Sequence, residues 1–443
     1  MQATAATTEY RNRAILHSKT DCAVSLDDGS QECDVINLYP DRLNQTVLGF
    51  GGAVTEAAGD TLLRLPQEKR QELLRDCFGR EGLCYTLART SIDSCDFSLS
   101  QYEAAPYAGA PFRITRDEAS ILPVLREAQA FCPGPISLML TPWSPPAYMK
   151  DNGERSHGGK LKAEYYGAWA DYICRYVAEY RARGVRVDRL SIQNEPNAVQ
   201  RWDSCLFSGA EEKRFLRDFL APALKKNGLN DVAVYIWDHN KERLFDRVCE
   251  VVDEETLPLI AGAAFHWYSG DHFDALRLVR REYPKLELLF SEGCIEYGRF
   301  AAENQLQSAR IYGRDLIGNF NAGMNTFIDW NLALNESGGP NHAENYCDAP
   351  ILCDTRAGTY EKRLSYYYIW HFSHFIKTGA RHVSSTRFGG EVSAAAFQNP
   401  DGAIVVVLLN TTPAQRKVFL RLNGSVVEAT LPPDAIGTVT IRE

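Results

Sequence analysis

Two carboxylates stand where a sequence of this kind could do chemistry. In Asp188-Arg-Leu-Ser-Ile-Gln-Asn-Glu-Pro-Asn-Ala198 a short apolar strand pattern ends at once in Asn194, Glu195 and a proline. Pro196 lacks an N–H and disfavours the α region for the residue before it, so the strand is expected to stop with the Glu195 carboxylate at its C-terminal tip. Leu286-Glu-Leu-Leu-Phe-Ser-Glu292-Gly-Cys294 repeats the arrangement: an apolar run closes on a glutamate, and Gly293 is expected to turn the chain. One such glutamate is more often a turn or cap residue. Two suggest a division of labour, because one carboxylate cannot both protonate a leaving group and stabilise the cation left behind.

The two glutamates lie 97 residues apart. A (β/α)8 barrel runs to roughly 250 residues, or about 30 per strand–helix unit, so three units fit that interval. If Glu195 ends the fourth strand, Glu292 ends the seventh. Both then face the barrel mouth at the C-terminal ends of the strands, where the catalytic groups of such barrels gather.

The rest of the chain supplies such a frame. From position 47 to 378, buried strand patterns alternate with helical stretches. The expected strands are Val47–Val54, Cys84–Arg89, Ile136–Thr141, Arg189–Gln193, Val232–Trp237, Ile260–His266, Leu286–Ser291 and Asn325–Trp330. Helices are expected at Gln67–Asp76, Asp117–Gln129, Ala163–Arg183 and Glu211–Lys226, where apolar residues recur at three- and four-residue spacing. Residues 1–46 and 379–443 read instead as short strands and turns, with Asn423-Gly424 a strong hairpin signal. The expected fold is therefore α/β: a (β/α)8 TIM barrel with a side β-sandwich built from both chain termini.

Composition narrows the function. A chain of 443 residues with 45% hydrophobic residues has room for a barrel and a second domain. The net charge of -9 argues against nucleic acid or an anionic membrane surface as partner. No membrane span and no signal-peptide pattern is visible, and the twelve cysteines are scattered without metal-binding spacing, which points to reduced thiols in a cytoplasmic protein. No metal and no organic cofactor is expected.

Several strand ends carry side chains suited to a sugar, whose C–H faces pack on aromatic rings and whose hydroxyls pair with carboxylates and amides. Arg89 closes the second expected strand, with Asp96-Phe97 in the following loop, and Trp143 sits in the proline-rich turn after the third. His266-Trp267-Tyr268 ends the sixth and Asp329-Trp330-Asn331 the eighth. Arg89 could equally be a barrel ion-pair residue and His266 a hydrogen-bonded core histidine, while Trp267 points opposite to its neighbours and reads as core.

Gly49-Phe-Gly-Gly-Ala53, Ser94-Cys-Asp-Phe-Ser98, Thr141-Pro-Trp-Ser-Pro145, Gln193-Asn-Glu-Pro196, His266-Trp-Tyr268, Ser291-Glu-Gly-Cys294 and Asp329-Trp-Asn-Leu332 follow the order and approximate spacing of glycoside hydrolase family 30. The resemblance runs from about residue 45 to the C-terminus and is strongest to the glucosylceramidase branch. It implies a retaining β-glycosidase acting on a β-glucoside, with Glu195 as acid/base and Glu292 as nucleophile. It further implies that Arg89, Asp96, Trp143, Asn194, His266, Tyr268, Trp330 and Asn345 line the sugar pocket, Asn194 at the 2-hydroxyl and Asp96 with Trp143 at the far hydroxyls. Val199-Gln-Arg-Trp-Asp-Ser-Cys205 and the N-terminal cysteines depart from the lysosomal pattern, which puts ceramide in doubt as the natural aglycone.

A retaining mechanism expects carboxyl groups about 5–5.5 Å apart, with ionised Glu292 raising the pKa of Glu195. Alternatives on the same fold are β-xylosidase, β-fucosidase and endo-β-glucanase. A non-catalytic carbohydrate-binding protein would be expected to have lost one glutamate, and both are present.

Overall fold

The computed structural model describes residues 1–296, 304–388 and 390–443. Eight strands close into a parallel barrel: Gly49–Ala53, Leu87–Ile92, Ser137–Pro142, Val187–Ser191, Ala233–Asn240, Gly262–His266, Glu287–Glu292 and Thr326–Asp329. All eight overlap the runs expected from the sequence. The second differs most, because Cys84 takes a left-handed conformation (φ 54°) that interrupts the extended run. The strand therefore starts at Leu87 and continues to Ile92, and Arg89 lies within it rather than at its end.

Leu87, Met139, Tyr235, Ala264, Leu289 and Ile328 fill part of the barrel interior. The first strand approaches the second so closely that a Cβ at Gly51 would stand 2.3 Å from the Leu87 carbonyl oxygen, which accounts for that glycine. Outside, two expected helices are interrupted. The run expected over Asp117–Gln129 divides into Thr115–Ala119 and Ile121–Gln129, because the Pro123 ring would clash with the Ala119 carbonyl in a continuous helix. Ahead of Pro222 the chain widens into a π turn at Leu216–Leu220, which separates the helices Gly209–Phe215 and Ala221–Lys226. No helix among the described residues is long and apolar enough to cross a membrane.

Both ends of the chain build the second domain. Ten strands share one ladder, in which the N-terminal strand Gln2–Arg11, second from one edge, pairs antiparallel with Ala435–Arg442, which also pairs with Ile404–Asn410. The ladder folds over a separate core that includes Ile36, Val383, Val406, Leu420, Val427 and Val439, so the sheet forms a sandwich. Asn423 and Gly424, both at positive φ (48° and 72°), make the tight hairpin between Arg416–Leu422 and Ser425–Leu431. Arg381–Arg387 joins the ladder between Val392–Gln398 and Val35–Thr46, and Ala14–Asp21 and Ala23–Leu26 form its two edges. All twelve cysteines are free thiols.

Candidate active site

The mouth of the barrel is shaped by two irregularities. Between the fifth and sixth strands Ala264 pairs with Trp237 but Phe265 pairs with His239, so Asp238 is an extra residue on its strand. Trp237 and Asp238 both take positive φ (73° and 52°), and this bulge re-aims the Asp238 carboxylate into the barrel. Between the sixth and seventh strands the register slips again at Ser291, which sets His266 opposite Glu292.

Asp238 is the buried hub of the hydrogen-bond network beneath the mouth. Its carboxylate accepts from Arg89 Nη2 at 3.0 Å, from His266 Nε2 at 3.1 Å and from Ser291 Oγ at 2.5 Å. Burial alone would raise its pKa, but the Arg89 charge and the His266 contact hold it well below the usual range. Arg89 carries this order onward. It donates to Glu292 Oε2 at 2.6 Å, to Asn194 Oδ1 at 2.9 Å and to Thr141 Oγ1 at 3.2 Å, while its guanidinium lies over the rings of Trp143 and Trp330. Arg89 fits the ion-pair reading, since it pairs with the buried Asp238 carboxylate and with Glu292 and does not itself line the cavity.

Glu292 is the last residue of the seventh strand. Its other oxygen accepts from the Tyr268 hydroxyl at 3.1 Å. Gly293 is no turn glycine: a Cβ there would meet Phe290 Cζ at 2.4 Å and Trp267 Cε2 at 2.8 Å, and this crowding explains the residue after Glu292. Glu195 lies four residues beyond the fourth strand, which already ends at Ser191. Its backbone is left-handed (φ 45°), not the extended form that a following proline favours, and its N–H donates 3.0 Å to the Asp238 carbonyl. Strain of this kind gathers at functional sites. The Glu195 carboxylate meets His266 Nδ1 at 3.3 Å, His239 Nδ1 at 3.5 Å and Gln200 Nε2 at 3.5 Å.

These neighbours reverse the order of acidities expected from the sequence. Burial pushes Glu195 up, but the His266 hydrogen bond and the charges of His239 and His266 outweigh it and hold the carboxyl below its ordinary value. Burial raises Glu292, and the opposing effects of His266 and Arg89 do not bring it back to its ordinary value. His266 is raised to about 9 despite burial, because Glu292, Asp238 and Glu195 surround it. With a carboxylate facing each ring nitrogen, it is an imidazolium at neutral pH and the resting proton sits on the histidine.

A cavity of about 150 Å³ opens above these groups, lined by Asp96, Phe97, Trp143, Asn194, Glu195, Tyr268, Glu292, Trp330 and Asn345 among others. Trp143 and Trp330 stack with ring centres 5.2 Å apart, and Phe97 packs edge-on against Trp330. Asn345 Nδ2 donates 2.9 Å to Asp96 Oδ2. Asp96 rides on a loop pinned by Asp93 and Ser94, the latter bonded to Asp203, which Arg155 holds at 2.7 Å. Burial, with the charges of Glu292, Glu195 and Asp203, pushes Asp96 up to about 8, so it is a neutral acid at pH 7. Arg89 and His266 lie beneath the cavity floor as buried supports, and Trp267 packs into the core against Phe290 and Tyr312.

Sequence reasoning missed Asp238, His239 and Asn240, because it ended the fifth strand at Trp237 and took nothing from its tip. The rule applied to the other strands, polar residues just past an apolar run, would have found Asp238-His-Asn240. Gln200, Trp202, Glu296 and Cys347 were also missed, and all four line the cavity.

Residues 47–376 match the glycosyl hydrolase family 30 TIM-barrel domain, and residues 379–439 the family 30 beta sandwich domain. Lysosomal acid glucosylceramidase of Mus musculus is 31% identical over 401 residues, spanning 85% of this chain and 77% of that protein. The endo-1,6-beta-D-glucanase of Neurospora crassa is 27% identical over 393 residues, 84% of this chain and 80% of that one. The crystal structure of SrfJ from Salmonella typhimurium superposes with a TM-score of 0.95 at 37% identity and covers 100% of both chains.

Proposed function

The chain belongs to glycoside hydrolase family 30, and from that premise we propose that it is a retaining exo-β-glucosidase in which Glu292 is the nucleophile and Glu195 the acid/base. The observation that carries this reading is the convergence of both carboxylates on one imidazole nitrogen: His266 Nδ1 is 3.3 Å from Glu195 Oε1 and 3.9 Å from Glu292 Oε1. The sum of those two distances is the upper limit on the separation of the two oxygens. That limit admits the spacing of about 5–5.5 Å typical of double displacement and falls short of most of the ~6.5–9.5 Å range of inverting enzymes.

In the first half-reaction Glu292, steadied by Arg89 and Tyr268, attacks the anomeric carbon while the glycosidic oxygen departs with a proton. That proton passes from His266 Nδ1 to Glu195 along their 3.3 Å contact and from Glu195 to the leaving oxygen, which leaves His266 neutral and Glu195 a carboxylate. Esterification then removes the Glu292 charge. In the second half-reaction Glu195, again a carboxylate, takes a proton from the attacking water and the Glu292 ester is cleaved.

The cavity supports an exo mode. Its volume of about 150 Å³ is small beside the ~300–1,000 Å³ of pockets for drug-sized ligands and suits one sugar ring. Asp96 and Asn345 hold its far hydroxyls, and Trp143 and Trp330 offer aromatic faces. Asn194 spends its oxygen on Arg89, which leaves its NH2 for the 2-hydroxyl.

A second reading, endo-acting hydrolysis of a β-1,6-glucan, is favoured by the likeness to the Neurospora crassa enzyme. One panel separates them: aryl β-glucoside, β-xyloside and β-fucoside, glucosylceramide, and linear β-1,6-glucan. Release of glucose alone from the β-glucosides supports the first reading, and mid-chain cleavage of the glucan supports the second. Early NMR spectra of the favoured reaction should show β-configured product before mutarotation, and initial α-product would overturn retention.

A further inference from the structure

Glu195 Oε1 is faced by two imidazole nitrogens at once, His266 Nδ1 at 3.3 Å and His239 Nδ1 at 3.5 Å. The three donor atoms all lie within 4.8 Å of one another. Tetrahedral ligands held roughly 2.0–2.2 Å from a zinc-sized ion stand about 3.3–3.6 Å apart, so two of the three edges already have the right length. The third closes with a small rotation of the His239 ring, which packs beside Trp237 at a centroid distance of 5.1 Å.

Two further observations point to an ion. His239 Nδ1 is buried without a hydrogen bond, although it is aimed at a carboxylate. The far nitrogen of His266 contacts Asp238 at 3.1 Å, and a carboxylate in that place orients a ligating histidine and makes it a better donor. Two imidazoles and one carboxylate suit zinc, copper or nickel. Magnesium and calcium prefer an all-oxygen shell.

We propose that Glu195, His239 and His266 form a binding site for a late first-row divalent metal ion of the zinc and copper class, and that its occupancy reversibly blocks hydrolysis. The ion displaces the proton on His266 Nδ1 to solvent and leaves a fourth position for water. It acts as an inhibitor and not as a participant, because it takes the oxygen from which the leaving group must receive its proton. The binding half of the proposal stands by itself. The inhibitory half rests on Glu195 being the acid/base.

The test is titration of the intact protein with Zn²⁺ by calorimetry and with Co²⁺ by visible absorption, alongside His239→Gln and Glu195→Gln, each checked for a native circular-dichroism spectrum. One saturable site is expected, weakened at least tenfold in each variant, with Co²⁺ bands free of the near-ultraviolet charge transfer that a thiolate ligand gives. Zn²⁺ should suppress alkyl β-glucoside hydrolysis over the concentration range in which it binds. EDTA should restore the rate, and Mg²⁺ and Ca²⁺ should do nothing. Absence of saturable binding, unchanged affinity in the variants, or thiolate bands would overturn the site and leave the role of Glu195 untouched. Binding with the expected variant dependence but undiminished hydrolysis would overturn the inhibitory half and the acid/base assignment with it. Should one variant not fold, the other decides.

Discussion

His266 Nδ1 stands 3.3 Å from Glu195 Oε1, and this contact decides where the acid proton of the resting protein lies. Glu195 is held below the ordinary glutamate range while His266 is raised to about 9, so the pair keeps one proton between them up to alkaline pH. The Glu195–His266 pair, not an isolated carboxylic acid, is then the proton reservoir.

A pH profile tests this. Rate requires Glu292 ionised, so kcat/KM falls as pH drops through a value above the ordinary 4.5. It also requires the shared proton, so with an alkyl β-glucoside it falls as pH rises through about 9. A dinitrophenyl leaving group needs no proton, so the alkaline limb should flatten with that substrate. Equal alkaline limbs for both would show that the proton titrating there is not the one delivered.

Asp238→Asn should lower kcat/KM at least a hundredfold and move the alkaline limb to lower pH. The substitution keeps the shape of the side chain but removes the charge that supports the His266 imidazolium and pairs with Arg89. A merely structural loss would reduce the rate without moving the limb, so the limb's position is the deciding measurement.

The fold and the site were legible in the sequence to different depths, and the reason lies in where each signal sits. Barrel strands announce themselves because a strand buried on both faces is an apolar run, and Glu292 and the tryptophans sit just at or past such runs. Asp238 too follows such a run, but the bulge that aims its carboxylate leaves no mark. Trp237 and Asp238 at positive φ break the usual preference for glycine or asparagine there, so nothing local told that the strand continues and turns its carboxylate inward. The order of acidities was invisible for a different reason. It depends on His239 and His266, which come 44 and 71 residues after Glu195 and meet it only in the fold. Asn345 was legible through family resemblance alone, since its loop has no strand end to mark it.

Asp96 links binding to stability. Its folded pKa of about 8 lies far above 3.8, so folding favours the protonated form, and stability declines as pH rises from about 4 to about 8. Asp96→Asn removes that penalty while preserving an oxygen for Asn345. The variant should match the parent near pH 4 and exceed it at pH 7 by on the order of 1–3 kcal/mol, with much reduced kcat/KM. Thermal melts at the two pH values check this, and an equal difference at both would show that the Asp96 charge is not the cause.

Glu292→Gln should abolish turnover by several orders of magnitude in a folded protein, because among the described residues no other side chain at the cavity floor is placed to form the glycosyl ester. A 2-fluoro-glucoside with a good leaving group should label a peptide containing Glu292 in the parent. Label on another carboxylate, or near-normal rates in the variant, would remove it from the nucleophile's role.

The strictest test falls on Glu195, since acid assistance matters only when the leaving group is poor. Glu195→Ala should nearly abolish hydrolysis of alkyl β-glucosides yet still form the glycosyl-enzyme from a dinitrophenyl β-glucoside. Turnover then stalls at the second step, because the base that activates water is missing too. Azide needs no base and is small enough to enter the space the side chain vacates, so it should restore turnover and give β-glucosyl azide. The configuration of that product reports on retention, and its formation reports on Glu195. Equal loss on both substrates without azide rescue, in a protein with native melting behaviour, would remove Glu195 from the acid/base role and leave its contacts with His239 and His266 without a catalytic purpose.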